Sequence, residues 1–410
     1  MLSKITLENF FSFGKPTTIE LNSGVNILVG INGSGKSNFL KAIHLLYEGI
    51  AGEGFKKTLL QDWEGFGSVA NFKAKEALFI KLTFEFNVKS INKINQNKGF
   101  AFTDKLIYEI TVYPVGNTNY YLKEKLYETH LDGKEVIYID MENGRGVISQ
   151  THLNGTTHTS LIEYAQNIGA ISFDTNELIL KQISDPDRFY PQFTLKKAIQ
   201  NIAVYNSFDT TLNSIIRKPQ SWSIENRLLP NGQNLTSLLQ QLKNNSALDF
   251  EELEEKIKDI NANFKDIGFD NYANKIFLVL REKKLSKTVG ITHISDGTLR
   301  FILLLSIFCN KNRGNLISLD EPETGLHPDM ISVLSDLMQN SAKDSQIIIA
   351  THSPLLLNKF ELSDLLIFEK DDNNQTKLIE HDEDEHQDWI DKNYSTGQLW
   401  LKGLIGGKRW

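Results

Sequence analysis

The sequence is poor in cysteine, in long apolar runs and in excess positive charge. Cys309 is the single cysteine among 410 residues, which excludes an intramolecular disulfide framework and a cysteine-rich zinc site, so we expect a reducing cytoplasm. No apolar run approaches the roughly 20 residues of a membrane span, and the first residues lack a signal-peptide pattern, so no membrane partner is expected. The net charge of −7 excludes a histone-like coat of basic surface, while a local basic groove stays compatible with it.

What the sequence does contain is a glycine-rich loop between an apolar run and an amphipathic stretch. Residues 25–29 read VNILV, residues 30–37 read GINGSGKS, and NFLKAIHLLYE then carries apolar residues at helical spacing. This is the strand, loop and helix order of a phosphate-binding P-loop, whose backbone N–H groups and helix N-terminus face the phosphates. The predicted nucleotide-binding residues here are Gly30, Asn32, Gly33, Ser34, Gly35, Lys36, Ser37 and Asn38.

Four side chains are predicted to carry metal and catalytic chemistry around this loop. Lys36 is expected to reach the β- and γ-phosphates, and the Ser37 hydroxyl to ligate Mg²⁺. The apolar run in LISLDEPETGLHP ends in Asp320 and Glu321. A carboxylate at a strand end beside a P-loop suits Mg²⁺, so Asp320 is the predicted metal partner, and Glu321 is the predicted general base for the attacking water.

Two further motifs extend the predicted site. In IIIATHSP, His352 follows another apolar run, and we expect it to hydrogen-bond the γ-phosphate or the attacking water. In ISDGTLR, the residues Ser295, Asp296 and Gly297 open an apolar helix. This pattern is a helix N-cap with a terminus that favours anions, so these three residues are predicted to bind nucleotide.

Hydrophobic periodicity divides the chain into three predicted parts. Residues 1–154 contain alternating runs such as LFIKLTFEF and predict a strand-rich lobe that includes the P-loop strand, with later strands joining it. Residues 155–286 predict a helical insertion, with helices at 161–168, 175–183, 194–203, 234–242 and 250–264. Residues 287–410 return to short apolar strands joined by helices, which indicates a parallel sheet with its ligand site beyond the carboxyl ends of the strands.

These motifs together resemble the ABC-type ATPase heads of the SMC, Rad50 and RecF group. More narrowly, the chain resembles the bacterial RecF-like predicted ATPases of the AAA type, which are related to the ATPase part of OLD-family enzymes. The matching stretches are ENFFSFG, GINGSGKSNFLKAI, ISDGTLR, LDEPETGLHP, IIIATHSP and YSTGQLWLKGLIGG, with PNGQNLTSLLQQL as the main match in the middle.

The resemblance implies an α/β fold, a P-loop NTPase of the ABC-type head class with a strand-rich N-terminal lobe and an inserted helical subdomain. It implies a homodimer or higher oligomer of heads, with ATP and Mg²⁺ held between the P-loop of one head and residues 295–297 of another, and hydrolysis to ADP and phosphate. The signature SDGT, in place of SGGQ, disfavours a transporter subunit. Sustained heptads for a coiled-coil arm are absent, and Gln61 is the candidate Q-loop glutamine.

The sequence leaves three functions open: a DNA-linked ATPase in antiphage defence or repair with a separate nuclease or toxin effector, a nuclease in its own right, and a nucleotide-gated scaffold that sequesters a partner. The nuclease is disfavoured, because only 58 residues follow His352, too few for the Toprim domain of OLD-family nucleases. The acidic run at 380–388 is expected to be a solvated surface. Candidate DNA contacts are Lys196, Lys197, Arg281, Lys283, Lys284 and Lys287.

Overall fold

A computed structural model describes residues 1–71, 78–94, 100–116, 119–151, 160–163, 173–379 and 394–406. Its longest described helix, Lys36–Ile50, has 15 residues, so the described ranges contain no coiled-coil arm. A membrane-crossing helix is likewise absent from the described ranges, since none combines the required length and apolarity.

A six-stranded sheet forms the centre of the fold. Its strands are Val25–Gly30 (β3), Ile202–Tyr205 (β10), Leu316–Asp320 (β15), Gln346–Ala350 (β16), Leu365–Lys370 (β17) and Thr376–Ile379 (β18). They lie in the order β10-β15-β16-β3-β17-β18, and all pairs are parallel except β17 with β18. The strands β3 and β16 are buried along their whole length, which explains their continuous apolar sequences. The parallel sheet predicted for the C-terminal part is confirmed.

The register of this sheet brings three chain segments to one edge. Ala350 of β16 lies opposite Asp320 of β15 on one side and opposite Leu28 of β3 on the other. Because the strands are parallel, the segments that follow them leave at the same edge of the sheet, where ligands of open α/β sheets bind. The P-loop, the Asp320–Glu321 pair and His352 are therefore neighbours.

A second, eight-stranded antiparallel sheet forms the N-terminal lobe. Its strands are Leu2–Glu8 (β1), Thr17–Glu20 (β2), Ile80–Phe86 (β4), Lys105–Val115 (β5), Asn119–Thr129 (β6), Glu135–Glu142 (β7), Arg145–Gln150 (β8) and Ser160–Glu163 (β9), in the order β2-β1-β4-β5-β6-β7-β8-β9. The predicted strand-rich lobe is confirmed. The prediction that the P-loop strand β3 belongs to this lobe is wrong, because β3 lies in the central sheet between β16 and β17. A lobe strand such as β4 alternates buried and half-buried residues, whereas every residue of β3 is buried and the strand needs cover on both faces.

Helices cover both faces of the central sheet. The helices of the described residues are Lys36–Ile50 (α1), Phe55–Lys57 (α2), Phe66–Val69 (α3), Val88–Ile94 (α4), Ile179–Gln182 (α5), Tyr190–Gln200 (α6), Leu235–Asn245 (α7), Ala247–Ile260 (α8), Asp296–Phe308 (α9), Pro328–Ser341 (α10), Pro354–Leu357 (α11) and Thr396–Leu401 (α12). One core joins α1, α6 and the lobe to the sheet face that carries Leu28 and Ile348. The other joins α7, α8, α9 and α10 to the face that carries Ile27 and Ile349.

The middle part of the chain is less helical than predicted. The helix predicted at 161–168 is wrong where it is described, because Ser160–Glu163 is strand β9; residues 164–168 lie outside the described ranges. The helix predicted at 194–203 ends at Gln200, and Ile202–Tyr205 continues as a strand of the central sheet. An antiparallel pair, Phe264–Tyr272 (β12) and Lys275–Glu282 (β13), was missed, with the short strands Gln220–Ser221 (β11) and Val289–Gly290 (β14) beside β13. The boundaries at 154 and 286 stay predictions.

Candidate functional site

The P-loop connects β3 to α1 through a backbone path that requires glycine. Gly35 precedes the helix with φ of +113°, in the left-handed region that L side chains rarely adopt. A Cβ at this position would also collide with the Thr376 and Ser12 hydroxyls. The loop is therefore held closely between β18 and the segment that follows β1, and Asn32 and Gly33 are left exposed at its tip.

The start of α1 is free to bind an anion. No side chain caps this helix, and its first turn carries no acidic residue. The first N–H groups of a helix lack internal partners and carry partial positive charge, so they attract phosphate. The Ser34 hydroxyl is buried and has no hydrogen-bond partner in the structure. An uncapped helix start of this kind fits a polyanionic ligand.

Lys36 places a buried cation beside three carboxylates. Its side chain is only 4% exposed, and its Nζ donates to the Gly30 carbonyl oxygen at 2.9 Å and to the Ile31 carbonyl oxygen at 3.3 Å. Burial lowers the pKa of Lys36 to about 8, and the negative charges of Asp320, Glu321 and Glu323 partly oppose this shift. A ligand phosphate would add further negative charge beside this ammonium group.

Ser37 and Asp320 meet at the same edge. Burial raises the pKa of Asp320, and the neighbouring Ser37 hydroxyl partly opposes this shift. A hydroxyl and a carboxylate are hard oxygen donors of the kind that Mg²⁺ prefers. The pair thus has the donor chemistry expected of a magnesium site.

Glu321 and His352 face each other beside this pair. Glu321 adopts φ of +47°, an uncommon conformation for a residue with a side chain, and its N–H donates to the Ala350 carbonyl oxygen at 2.9 Å. Its Oε1 lies 3.6 Å from Nε2 of His352. Burial and the Lys36 charge lower the pKa of His352, so the ring is neutral at pH 7. A half-exposed carboxylate next to a neutral imidazole is suited to accepting and holding a proton.

Glu323 is a site residue that sequence reasoning missed. Its carboxylate accepts hydrogen bonds from the Thr351 hydroxyl and, at 3.1 Å, from the backbone N–H of His352. Burial raises the pKa of Glu323, and its Oε2 is buried without a hydrogen-bond partner. Glu323 therefore ties the segment after β15 to the segment after β16. The signal available in the sequence was the third carboxylate in DEPE, which is its second glutamate.

A polar cluster behind the P-loop was also missed. The Thr376 hydroxyl donates to the Ser34 carbonyl oxygen at 2.7 Å and accepts from the Ser12 hydroxyl at 2.7 Å, and the Asn38 amide donates to Ser12 Oγ at 2.9 Å. Asn38, predicted to bind nucleotide, thus contacts the protein's own Ser12. Next to this cluster is a cavity of about 320 Å³ that Phe11, Ser12, Gly33, Asn38, Asn71, Lys370 and Asn374 line.

The predicted signature residues lie at the start of α9. Ser295 caps α9 by accepting a hydrogen bond from the Thr298 N–H at 3.2 Å, and both Ser295 and Asp296 are exposed. At Gly297, a Cβ would lie 2.7 Å from the Gly325 carbonyl oxygen, so only glycine lets α9 approach the loop after β15. Among the described residues, no hydrogen bond or ion pair joins residues 295–297 to the P-loop.

Other predicted residues have mixed outcomes. Gln61 is exposed in a one-turn segment, Thr58–Asp62, and its Q-loop role stays a prediction. Lys196 donates to the carbonyl oxygens of Lys181 and Ile183 at 2.6 and 2.7 Å, so its ammonium group holds α6 to the preceding segment rather than facing a nucleic acid. The acidic run at 380–388 lies outside the described residues.

The central parallel sheet, the P-loop at its carboxyl edge and the carboxylates that follow β15 define an ABC-type ATPase head of the SMC and RecF kind. Over residues 25–358, the chain matches the model of the family described as "AAA domain, putative AbiEii toxin, Type IV TA system". The chain belongs to this family.

Similar proteins agree with this class. A Helicobacter pylori protein named ATP/GTP phosphatase is 23% identical over 399 residues, which cover 92% of each chain. The chromosome partition protein Smc of Pyrococcus furiosus is 31% identical over 123 residues, 30% of this chain, and this chain matches only 10% of the Smc length. The DNA replication and repair protein RecF of Caldanaerobacter subterraneus is 33% identical over 104 residues, 24% of this chain and 28% of RecF.

Solved structures agree on the fold. A crystal structure of an Smc head bound to the C-terminal winged-helix domain of ScpA aligns with 94% of this chain and 99% of that chain, with a TM-score of 0.53 and 15% identity. An Smc head of Pyrococcus furiosus with an extended coiled coil gives the same TM-score at 14% identity, covering 96% and 99% of the two chains. The predicted fold class is confirmed.

Proposed function

We propose that this chain binds and hydrolyses ATP as a dimer, with each nucleotide held between two copies. One observation carries this proposal: Lys36, Asp320, Glu321 and His352 meet at one edge of the sheet, whereas Ser295 and Asp296 are exposed at the start of α9 and, among the described residues, make no hydrogen bond or ion pair with the P-loop. A triphosphate bound at Lys36 receives the P-loop donors from the same chain. The exposed N-terminus of α9 is the matching set of donors for the γ-phosphate, and it is supplied by the second copy.

Magnesium fits the donor set formed by Ser37 and Asp320. When bound there, the ion neutralises phosphate charge. Lys36 and the uncapped N-terminus of α1 hold the phosphates in place. This arrangement uses groups that are otherwise left unpaired, including the buried Ser34 hydroxyl.

Glu321 and His352 serve the water molecule that attacks the γ-phosphate. Glu321 accepts the proton from that water, because its carboxylate is half-exposed at the mouth of the site. His352 is neutral at pH 7, so its ring can donate one hydrogen bond and accept another while it orients the water or the γ-phosphate. Glu323 fixes the backbone of His352.

Closure of two heads drives a DNA-linked process, in antiphage defence or repair, that a separate nuclease or toxin effector carries out. The relatives named for chromosome partition and DNA repair support the link to DNA, and the family description, which names a putative toxin and a type IV toxin–antitoxin system, supports a link to such systems. Lys284 and Lys287 are exposed beside β13 and are the favoured DNA contacts, whereas the Lys283 ammonium group already donates to the Ala262 carbonyl oxygen at 2.9 Å. Arg281 is already paired with Asp266 at 2.9 Å.

A nucleotide-gated scaffold that sequesters a toxin or nuclease is the second candidate function. Four large apolar side chains between β10 and α7 favour it, since Leu212 is 78% exposed, Ile215 50%, Trp222 53% and Ile224 87%. Where exposed apolar side chains form one surface, that surface typically contacts another protein. The net charge of −7 also suits a protein partner better than DNA.

ATP turnover with and without duplex DNA, at low and moderate salt, separates the two functions. A DNA-linked ATPase is stimulated by DNA at low salt and less at moderate salt, and the double variant Lys284→Glu with Lys287→Glu loses this stimulation. The matched control, Lys56→Glu, changes an exposed lysine on another surface and keeps it. Slow ATP turnover that DNA does not change, together with a protein that co-purifies, contradicts the DNA-linked ATPase and supports the scaffold.

A further inference from the structure

Arg217 is a buried arginine that the proposed ATPase cycle does not yet use. It ends the short helical turn Ile215–Arg217, and its side chain is only 2% exposed. Its Nε donates to the Thr210 carbonyl oxygen at 2.8 Å, and its Nη1 donates to the carbonyl oxygens of Ile291 and Ile294 at 2.6 and 2.8 Å. The guanidinium thus joins two segments that are about 80 residues apart in sequence.

Among the described residues, the one carboxylate that Arg217 contacts belongs to the signature. Its Nη2 donates to Asp296 Oδ1 at 2.6 Å, and the Asp296 side chain is 67% exposed. The ion pair therefore runs from the core to the exposed start of α9. Because the guanidinium is planar and has donors at fixed angles, it sets the positions of Ile291, Ile294 and Asp296 together, as a lysine ammonium group could not.

Arg217 also compensates the negative charge of Asp296 at the start of α9. A helix N-terminus attracts a phosphate group, but the negative charge of Asp296 in the first turn of α9 would repel it. Arg217 supplies the compensating positive charge at 2.6 Å. An exposed aspartate can then remain in the signature without making the terminus repel a triphosphate.

We propose that Arg217 is a positioning residue for the trans half of the nucleotide site. It holds the start of α9 in the orientation that receives the γ-phosphate of a second copy, and it neutralises Asp296. This role rests on the dimeric ATPase proposed above. Arg217 acts through residues 291–296 and does not itself touch the nucleotide.

The role predicts a separation of binding from turnover. In Arg217→Gln, the P-loop half is untouched, so the affinity of a single head for ATP stays within about twofold, while kcat falls about tenfold or more. Arg217→Lys keeps the positive charge but not the planar set of guanidinium donors, so its kcat lies between those of the wild type and Arg217→Gln. Thermal unfolding of each variant shows whether the fold is retained. Equal losses of ATP affinity and kcat would overturn the role.

Mixing two defective proteins tests the trans assignment. Arg217→Gln has an intact P-loop and Lys36→Ala an intact signature, so a mixed dimer contains one complete site. With random pairing of equal amounts, half of the dimers are mixed and about a quarter of the wild-type turnover returns. A protein damaged only in its packing gains nothing from mixing, and absence of recovery overturns the proposal.

A parallel mixture distinguishes failure of this role from failure of the dimer. Ser295→Ala with Lys36→Ala should also recover activity, because Ser295 lies at the same helix start. Recovery in this control without recovery in the Arg217→Gln mixture overturns the role of Arg217 alone. Failure of both mixtures overturns the dimer and, with it, the role that depends on it.

A double variant tests the charge argument directly. Adding Asp296→Asn to Arg217→Gln removes the carboxylate that was left uncompensated, so the double variant should turn over ATP several-fold faster than Arg217→Gln. If Arg217 served packing only, the double variant would be no faster, and the charge role would be contradicted.

Discussion

The two halves of the proposed nucleotide site differ in how completely one chain builds them. The phosphate half is assembled from three strand ends, with Lys36 buried and Ser37, Asp320 and His352 in mutual contact or close proximity. The signature half is exposed, and the buried Arg217 side chain holds it in place through the ion pair with Asp296. A surface that is held in a fixed position and is open to solvent can bind another molecule. The second half of the proposed site therefore faces solvent.

Lys36→Ala should give the largest effect, because it breaks the phosphate half and leaves the signature half unchanged. Removing a buried cation that pairs with a phosphate is expected to weaken ATP binding about a hundredfold or more. Isothermal titration calorimetry measures this loss, with Lys56→Ala, an exposed lysine, as the matched control. Wild-type affinity in Lys36→Ala would contradict the placement of the triphosphate.

Glu321→Gln should separate catalysis from binding within the phosphate half. Loss of a general base typically slows turnover about 100- to 10,000-fold, while the amide keeps the size of the side chain. ATP affinity should stay close to that of the wild type. Phosphate release in single-turnover assays measures the effect, and near-normal hydrolysis by Glu321→Gln would show that another group accepts the proton.

Glu323→Ala should give an intermediate effect. Without the carboxylate, the Thr351 hydroxyl and the His352 N–H lose their acceptor, and His352 shifts from its position beside Glu321. A small misplacement of this kind is expected to cost about tenfold in turnover. The control, Glu323→Gln, keeps an oxygen acceptor and should retain most of the activity. Equal activities of the two variants would contradict the positioning role.

The pH dependence of ATP binding should show the smallest effect. Lys36 in the nucleotide-free head has its pKa lowered to about 8, and the phosphate contact needs the charged form. As the pH rises through 8, the charged fraction falls to about one tenth at pH 9, so affinity should weaken several-fold between pH 7.5 and 9. Phosphate groups are already fully ionised in this range. A flat profile would contradict the burial of the Lys36 charge.

Local motifs made the phosphate half predictable from the sequence. The P-loop, the Asp320–Glu321 pair and His352 each follow an apolar strand, and parallel pairing brings the three strand ends together. The strand Ile202–Tyr205 was missed, because its four residues follow α6 closely and continue its apolar pattern. Alternation correctly indicated the lobe, but it could not tell that β3 belongs to another sheet.

The residues that were missed at the site depend on long-range contacts. Thr376 reaches the Ser34 carbonyl oxygen across 342 positions of sequence, and Arg217 reaches Asp296 across 79. Neither residue stands in a motif that indicates such a partner. Only the tertiary fold brings these pairs together, so sequence periodicity carries no signal for them.

The oligomeric mass of Glu321→Gln, with and without ATP and Mg²⁺, tests the central claim most directly. If the exposed signature of one copy closes over the triphosphate of another, this variant should be monomeric without nucleotide and should double its mass when ATP is bound but not hydrolysed. Light scattering after gel filtration reports the mass. A Glu321→Gln protein that binds ATP and keeps the mass of a single chain would contradict the shared site.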